Sequence, residues 1–246
     1  STPLVCITGQ VASHLLGTDA FQETDVMGIS SPVVKWSFQV TRAEEIPWAI
    51  AKAFYIANSG RPGPVLIDIT KDAQFAELDF NYKKCEFVRS YNPKVEINLD
   101  QVKEAAQAIN GAKKPMMIVG HGVLLGDAQK EVLELAEKAQ IPVATTWLGA
   151  SAFPAKHELF HGMVGMHGSY APNLMTNECD VLIAVGMRFD DRVTGDLNRY
   201  AKQAKVVHFE LDFSEVNKNV YAHCPVLGDC KETLTSLNRM IIESDG

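Results

Sequence analysis

From residue 100 onward the chain alternates amphipathic helical segments with short, almost wholly apolar strands, several of which run directly into glycine turns. Nothing else in the sequence restricts the fold as strongly. Helical spacing predicts a helix over 100–110, then the strand Pro115-Met-Met-Ile-Val-Gly120, a helix over 127–139 and the strand Pro142-Val-Ala-Thr-Thr146. Beyond a glycine-studded loop region come a short helix near 171–177 and the strands Asp180-Val-Leu-Ile-Ala-Val-Gly186 and Lys205-Val-Val-His-Phe-Glu210. A short strand near 225–227 and a closing helix over 229–243 complete the pattern. Strands that are apolar at nearly every position must be covered on both faces, so the fold class is α/β with a doubly wound parallel sheet. Such sheets take ligands at the carboxyl ends of their strands.

The first hundred residues hold a smaller piece of the same architecture. Ser1-Thr-Pro-Leu-Val-Cys-Ile-Thr-Gly9 reads as a buried strand entering a glycine turn. Residues 41–59 carry apolar groups at helical spacing, with Thr41 as candidate N-cap and Glu44 in capping-box position. Pro47 either kinks that helix or sits in the first turn of one that begins later. Gly60-Arg-Pro-Gly-Pro64 then breaks it, and Val65-Leu-Ile-Asp-Ile-Thr70 is a second strand. From about residue 71 to 98 neither periodicity survives. The expected organisation is a partial α/β domain over 1–85, a linker over 86–97 and a second domain over 98–246. A strand that opens the chain with nothing before it to pair against suggests an excerpt of a longer polypeptide.

Charge narrows the ligand. With 30 acidic and 23 basic side chains the formal charge is −7, and basic runs are no longer than pairs such as Lys83-Lys84, which argues against a nucleic-acid surface. No run of 18 apolar residues is present to span a membrane, and no secretory signal opens the sequence, so the expected compartment is the cytoplasm. The five cysteines lack any Cys-x-x-Cys pair and read as buried free thiols. His157-Glu-Leu-Phe-His161 matches a zinc-binding pattern that needs a helix, but Pro154 before it and Gly162, Gly165 and Gly168 after it predict a loop, and no metal site is assigned. There is no Gly-x-Ser-x-Gly elbow. A small-molecule ligand fits best.

Three glycine clusters fall where its loops should be: Gly120-His-Gly122, Gly162-Met-Val-Gly-Met-His-Gly168, and the run from Gly186 to Gly195. Glycine lets backbone N–H groups approach a pyrophosphate, although ordinary tight turns explain the first cluster equally well. Arg188 and Arg192 flank Asp190 and Asp191, so guanidinium groups could meet phosphate while carboxylates accept ribose hydroxyls; mutual salt bridging is the competing reading. Glu210 closes its strand as an acid, the group a dinucleotide ribose requires.

Four strings carry a resemblance: Gly9-Gln-Val-Ala-Ser-His-Leu-Leu-Gly-Thr-Asp-Ala-Phe-Gln-Glu23, Gly60-Arg-Pro-Gly-Pro-Val-Leu-Ile-Asp-Ile-Thr-Lys-Asp72, Gly162-Met-Val-Gly-Met-His-Gly168 and Arg188-Phe-Asp-Asp-Arg-Val-Thr-Gly195. Together they resemble the large, catalytic subunits of the acetolactate synthase (acetohydroxyacid synthase) family, thiamine-diphosphate enzymes of branched-chain amino-acid synthesis. The resemblance implies the last part of a pyrimidine-binding domain followed by a Rossmann-like central FAD-binding domain. It implies condensation of two pyruvates, or of pyruvate with 2-oxobutyrate, with loss of carbon dioxide. Thiamine diphosphate and Mg2+ would serve the full-length enzyme, as would assembly into a homodimer or homotetramer with a small regulatory subunit. The family's catalytic glutamate would lie upstream of Ser1, and its Gly-Asp-Gly magnesium motif does not occur in these residues. The excerpt is therefore expected to be inactive yet to bind FAD. A non-catalytic dinucleotide-binding or oligomerisation module, or a related flavin-linked decarboxylase or oxidase, is the alternative.

Carried over by position, the flavin contacts fall on Arg89, on Gly120 and Gly122, on Thr146, Trp147 and Leu148, and on Val164, Gly165, Met166 and His167. They continue on Gly186, Met187 and Arg188, on Asp190, Arg192 and Val193, on Glu210 and Leu211, and on Gly228 and Asp229. Phe21, Gln22 and Lys35 match positions at the substrate entrance. The chain departs from the family at Ala12 (commonly proline), Ser31 (often arginine), Trp36 (often histidine) and Trp147 (usually leucine).

Overall fold

A computed structural model describes residues 1–244. The chain divides into two units, Ser1–Lys94 and Val95–Gly246.

The first unit contains β1 (Leu4–Gln10), α1 (Val26–Ser30), β2 (Trp36–Val40), α2 (Ile46–Asn58), β3 (Pro64–Thr70) and α3 (Lys71–Phe75). Its sheet is parallel in the order β1-β3-β2. β3 lies between the other two and is buried throughout past Pro64, whereas β1 pairs only with β3 and leaves Leu4 and Ile7 more than half exposed. The expectation of a buried first strand is thus corrected: an edge strand has one neighbour and no cover. β2 carries no strong sequence signal. α2 lays Ala49, Ala53 and Ile56 over Val65, Ile67 and Ile69.

The α2 helix begins after a 3-10 turn over Ala43–Glu45, with Pro47 in its first turn, where the missing N–H costs nothing. The reciprocal cap comes from Glu45 rather than Glu44, since its carboxylate accepts from the backbone N–H of Thr41 and of Arg42 (3.2 and 3.3 Å), and Thr41 caps nothing. At the other end the Lys35 ammonium donates to the carbonyls of Ile56 and Ser59 and to the Tyr91 hydroxyl. Cations belong there, at the negative end of the helix dipole. Tyr91 also donates to the Ser59 carbonyl at 2.8 Å, which ties the segment around Val88–Tyr91 to the first unit.

The second unit contains α4 (Leu99–Asn110), β4 (Pro115–Val119), α5 (His121–Leu125), α6 (Gln129–Ala139), β5 (Val143–Thr145), β6 (Phe160–Met163), α7 (Tyr170–Thr176), β7 (Val181–Val185), α8 (Asp191–Thr194), β8 (Lys205–Glu210), β9 (Cys224–Leu227) and α9 (Cys230–Asn238). Six parallel strands run in the order β6-β5-β4-β7-β8-β9. The chain thus starts in the middle, winds to one edge, returns and winds to the other, which is the doubly wound topology with its switch point between β4 and β7. Alternate residues serve opposite faces. Met117, Val119, Ile183, Val185, Val207 and Phe209 meet α4, α6 and α9, while Met116, Ile118, Leu182, Ala184 and Val206 face a second core with Phe189, Tyr200 and Ala201.

Several boundaries move. α5 and β6 were not anticipated, and the closing helix ends at Asn238, five residues before the expected limit at Glu243. His157 sits in a turn and His161 in β6, so the two imidazoles share no helix face. All five cysteines are free; Cys179, Cys224 and Cys230 are buried as expected, but Cys6 is exposed and Cys85 only partly covered. Among the described residues no helix is long and apolar enough to cross a membrane.

Candidate functional site

At the switch point the ends of β4, β7 and β8 are laced together by backbone. Gly120 N–H donates to the Val185 carbonyl and Gly122 N–H to that of Gly186, both at 2.9 Å, and Gly186 N–H donates to the Phe209 carbonyl at 3.0 Å. The glycines are required by this close approach. A Cβ on Gly122 would stand 2.6 Å from the Gly186 Cα, and one on Gly120 would stand 2.3 Å from the Gly186 oxygen. Gly186 also takes φ +59°, a conformation that costs other residues. The glycine requirement is therefore met first by loop-on-loop packing, which any ligand would then find preformed.

Around that point the other loops stack in order. After β5, Thr146 N–H donates to the Val119 carbonyl at 2.9 Å, and the Thr146 hydroxyl accepts from Gly149 N–H at 3.2 Å. This starts a 3-10 turn that leaves Trp147 73% and Leu148 65% exposed. After β6, Val164 is buried and Gly165 is clasped by Asn173, whose amide accepts from its N–H at 2.8 Å and donates to its carbonyl at 3.0 Å. Met166 N–H donates to the Arg192 carbonyl at 2.8 Å, joining the β6 and β7 loops, while the Met166 side chain and His167 face solvent.

The loop after β7 carries the charges. Met187 is buried, Arg188 is exposed, and Asp190 caps α8 by accepting from Arg192 N–H at 3.0 Å. Arg188 Nε lies 3.7 Å from Asp190, and Arg192 Nε lies 3.8 Å from Asp191. Both distances exceed a good hydrogen bond, so these pairs leave guanidinium donors for an anion. Val193 N–H closes the α8 turn on the Asp190 carbonyl. After β8, Glu210 turns one carboxylate oxygen back to accept from the N–H groups of Leu211 and Asp212, at 2.9 and 3.1 Å. After β9, Gly228 (φ +147°) donates to the Glu210 carbonyl, and Asp229 caps α9 by accepting from Lys231 and Glu232 N–H.

Except for Arg89, every residue expected to touch a dinucleotide closes one of the six strands, as Glu210 does, or lies in the first turns beyond its end. Arg89 belongs to the first unit, where it lines an open groove with Tyr55, Phe87 and Tyr91. Residues that sequence reasoning missed are those that hold the loops: Asn173, His208, whose Nε2–H donates to the Met187 carbonyl at 2.8 Å, and Asn219, which donates to the Phe189 carbonyl at 3.0 Å. Asn173 lies in a helix, His208 in a strand and Asn219 in a loop, and none leaves a local signal of such bonds.

The substrate-entrance candidates lie in the first unit and are not equivalent. Phe21 is 89% exposed and Gln22 is held at φ +66°. Their loop is tied at three places. Gln10 donates to the Thr24 carbonyl (2.7 Å), Ser13 donates twice to Asp72, and Glu23 accepts from the N–H groups of Gly17 and Ala20. Those bonds hold the carboxyls of Glu23 and Asp72 below their usual range. Gln10 in turn leans on Asp68, a wholly buried carboxylate that also accepts from Thr8 and Gln39. Lys35, by contrast, spends its ammonium on the end of α2 and the Tyr91 hydroxyl.

Comparison with known proteins adds four findings. The family model described as the central domain of thiamine pyrophosphate enzymes matches residues 102–237. The acetolactate synthase large subunit of Corynebacterium glutamicum is 47% identical over 237 residues, covering 96% of this chain and 38% of that protein. Its counterpart in Haemophilus influenzae is 44% identical over 236 residues, covering 95% and 41%. A solved structure, described as a candidate thiamin diphosphate-dependent enzyme from Mycobacterium smegmatis, superposes with a TM-score of 0.77 at 25% identity, covering 99% of this chain and 47% of that one. The chain thus spans about two fifths of the length of the relatives named here.

Proposed function

The chain belongs to the thiamine pyrophosphate enzymes, whose central domain it contains, and on that premise we propose that it is part of an acetolactate synthase large subunit whose six-stranded unit binds FAD. The observation that carries the FAD reading is the gathering of nearly all the expected contacts on consecutive loops at the carboxyl ends of one doubly wound sheet. The residues suit a flavin dinucleotide. Arg188 and Arg192 supply charge for a pyrophosphate, the Glu210 carboxylate stands where a ribose is met, and Trp147 and Met166 offer exposed apolar surface for a ring system. FAD has a structural part here and undergoes no net redox change.

The parent activity is condensation of two 2-oxo acids with decarboxylation, in which thiamine diphosphate, when bound, supplies the electron sink. The residues present do not make a site for its magnesium. No Gly-Asp-Gly occurs, and among the described residues no cluster of His, Cys, Asp or Glu is arranged to hold an ion. No step is therefore assigned to this chain beyond presenting Phe21 and Gln22 from a tied loop, and the chain alone makes no acetolactate. The parent is cytoplasmic, oligomeric and accompanied by a small regulatory subunit.

Isothermal calorimetry of the 246-residue chain with FAD tests the reading. Heat with one flavin per chain is expected at micromolar affinity or weaker; no heat at high flavin concentration refutes it. Turnover of pyruvate above a no-protein control would overturn the division of labour between this chain and the rest of the enzyme.

A further inference from the structure

The turn that presents Arg188 is bent against the preference of its own residues. Phe189 has φ +52°, yet it is an aromatic residue and only 2% exposed. A bulky side chain adopts that region only where its surroundings impose it. The carbonyls on either side of Arg188 show what does so. The Met187 carbonyl accepts the 2.8 Å bond from His208 Nε2–H on β8, and the Phe189 carbonyl accepts the 3.0 Å bond from Asn219 Nδ2–H. The His208 ring also packs edge-on against the Phe189 ring, with centroids 4.9 Å apart and planes at 67°. One fully buried imidazole thus fixes both the peptide before Arg188 and the side chain after it. Among the described residues its Nδ1 has no hydrogen-bond partner, and burial depresses its basicity, as suits a neutral ring that serves as a single donor.

We infer that His208 and Asn219 are positioning residues for Arg188: they clamp the two carbonyls around it and thereby aim its guanidinium at the anion expected beyond β7. The inference rests on the FAD reading of that site and adds residues outside the expected set of contacts. A filler role predicts a different outcome. If His208 merely packed the core, losing its donor would lower stability without changing what Arg188 does.

Fluorescence titration with FAD separates the two. His208→Leu is expected to weaken binding about tenfold, Asn219→Ala about threefold, and His208→Gln, which retains a donor, to stay within about twofold of the parent chain. In a double-mutant cycle, adding His208→Leu to Arg188→Ala should cost nothing further, because the clamp acts through that arginine. Parent-like affinity in a folded His208→Leu, or additive losses in the double variant, overturns the inference. Should His208→Leu fail to fold, the exposed Asn219 carries the same cycle. Should the parent chain bind no FAD, the site reading fails, and amide exchange at 188–190 in the ligand-free protein still decides the clamp. Faster exchange in Asn219→Ala supports it, and unchanged exchange refutes it.

Discussion

At Gly122 one methyl group decides whether the ends of β4 and β7 can meet. The Gly186 backbone occupies the space, so Gly122→Ala must push two strand ends apart at the switch point. A loss of about 1–3 kcal/mol in urea unfolding is expected, together with loss of FAD binding. Alanine at Gly122 with unchanged stability would mean that the loops are not interlocked. His208 makes a second prediction at this scale. Burial lowers its pKa from the ordinary 6.5, so the folded protein prefers the neutral ring more than the unfolded chain does. The corresponding stability is present above pH 6.5 and lost as pH falls below it toward the folded value. Glu210 faces the ring with its carboxylate 3.8 Å from Nε2, and the bond to the Met187 carbonyl and the nearby Glu215 favour protonation, which moderates the effect without reversing it. The melting temperature should therefore drop between pH 7 and 5, and the drop should be smaller in His208→Gln. An identical pH profile in that variant would contradict the neutral-ring assignment.

Among the elements, the loop between β1 and α1 is tied by the carboxylates of Glu23 and Asp72. Glu23 holds Gly17 and Ala20 N–H around the turn that exposes Phe21, and this contact keeps its carboxyl below the ordinary range. Glu23→Gln should raise the rate of chymotryptic cleavage after Phe21 several-fold at neutral pH while leaving the melting temperature nearly unchanged; equal cleavage rates would show that the loop is held by other means. Legibility in the sequence also differs from element to element. β4, β7 and β8 were plain because strands apolar on both faces have few other uses, and their glycine ends marked the ligand loops. β2 is hidden in the sequence because Ser37 and Gln39, the latter reaching the buried Asp68, interrupt its apolar residues, and β6 because it is built from Phe160-His-Gly-Met163. The cap at Glu45 was misplaced by one residue because the helix is preceded by a 3-10 turn, which shifts the spacing. Contacts made by side chains across elements, such as Lys35 with the end of α2 or Asn173 with Gly165, were not readable at all. They depend on which elements become neighbours.

At the scale of the whole molecule the chain divides into two α/β units, Ser1–Lys94 and Val95–Gly246. The second carries a six-stranded doubly wound sheet with the candidate ligand loops at the carboxyl ends of its strands; the first carries three strands, three helices and a tied loop. The chain covers about two fifths of its relatives, and among the described residues no His, Cys, Asp or Glu cluster is arranged to hold a metal ion. The central claim is that the loops at the carboxyl ends of the six strands bind FAD. Hydrogen–deuterium exchange with and without FAD tests it most directly. The account predicts slowed exchange at 120–123, 146–149, 164–168, 186–193, 210–212 and 228–230, with the opposite ends of the strands unchanged. Protection at those opposite ends, or none anywhere at saturating flavin, would contradict it.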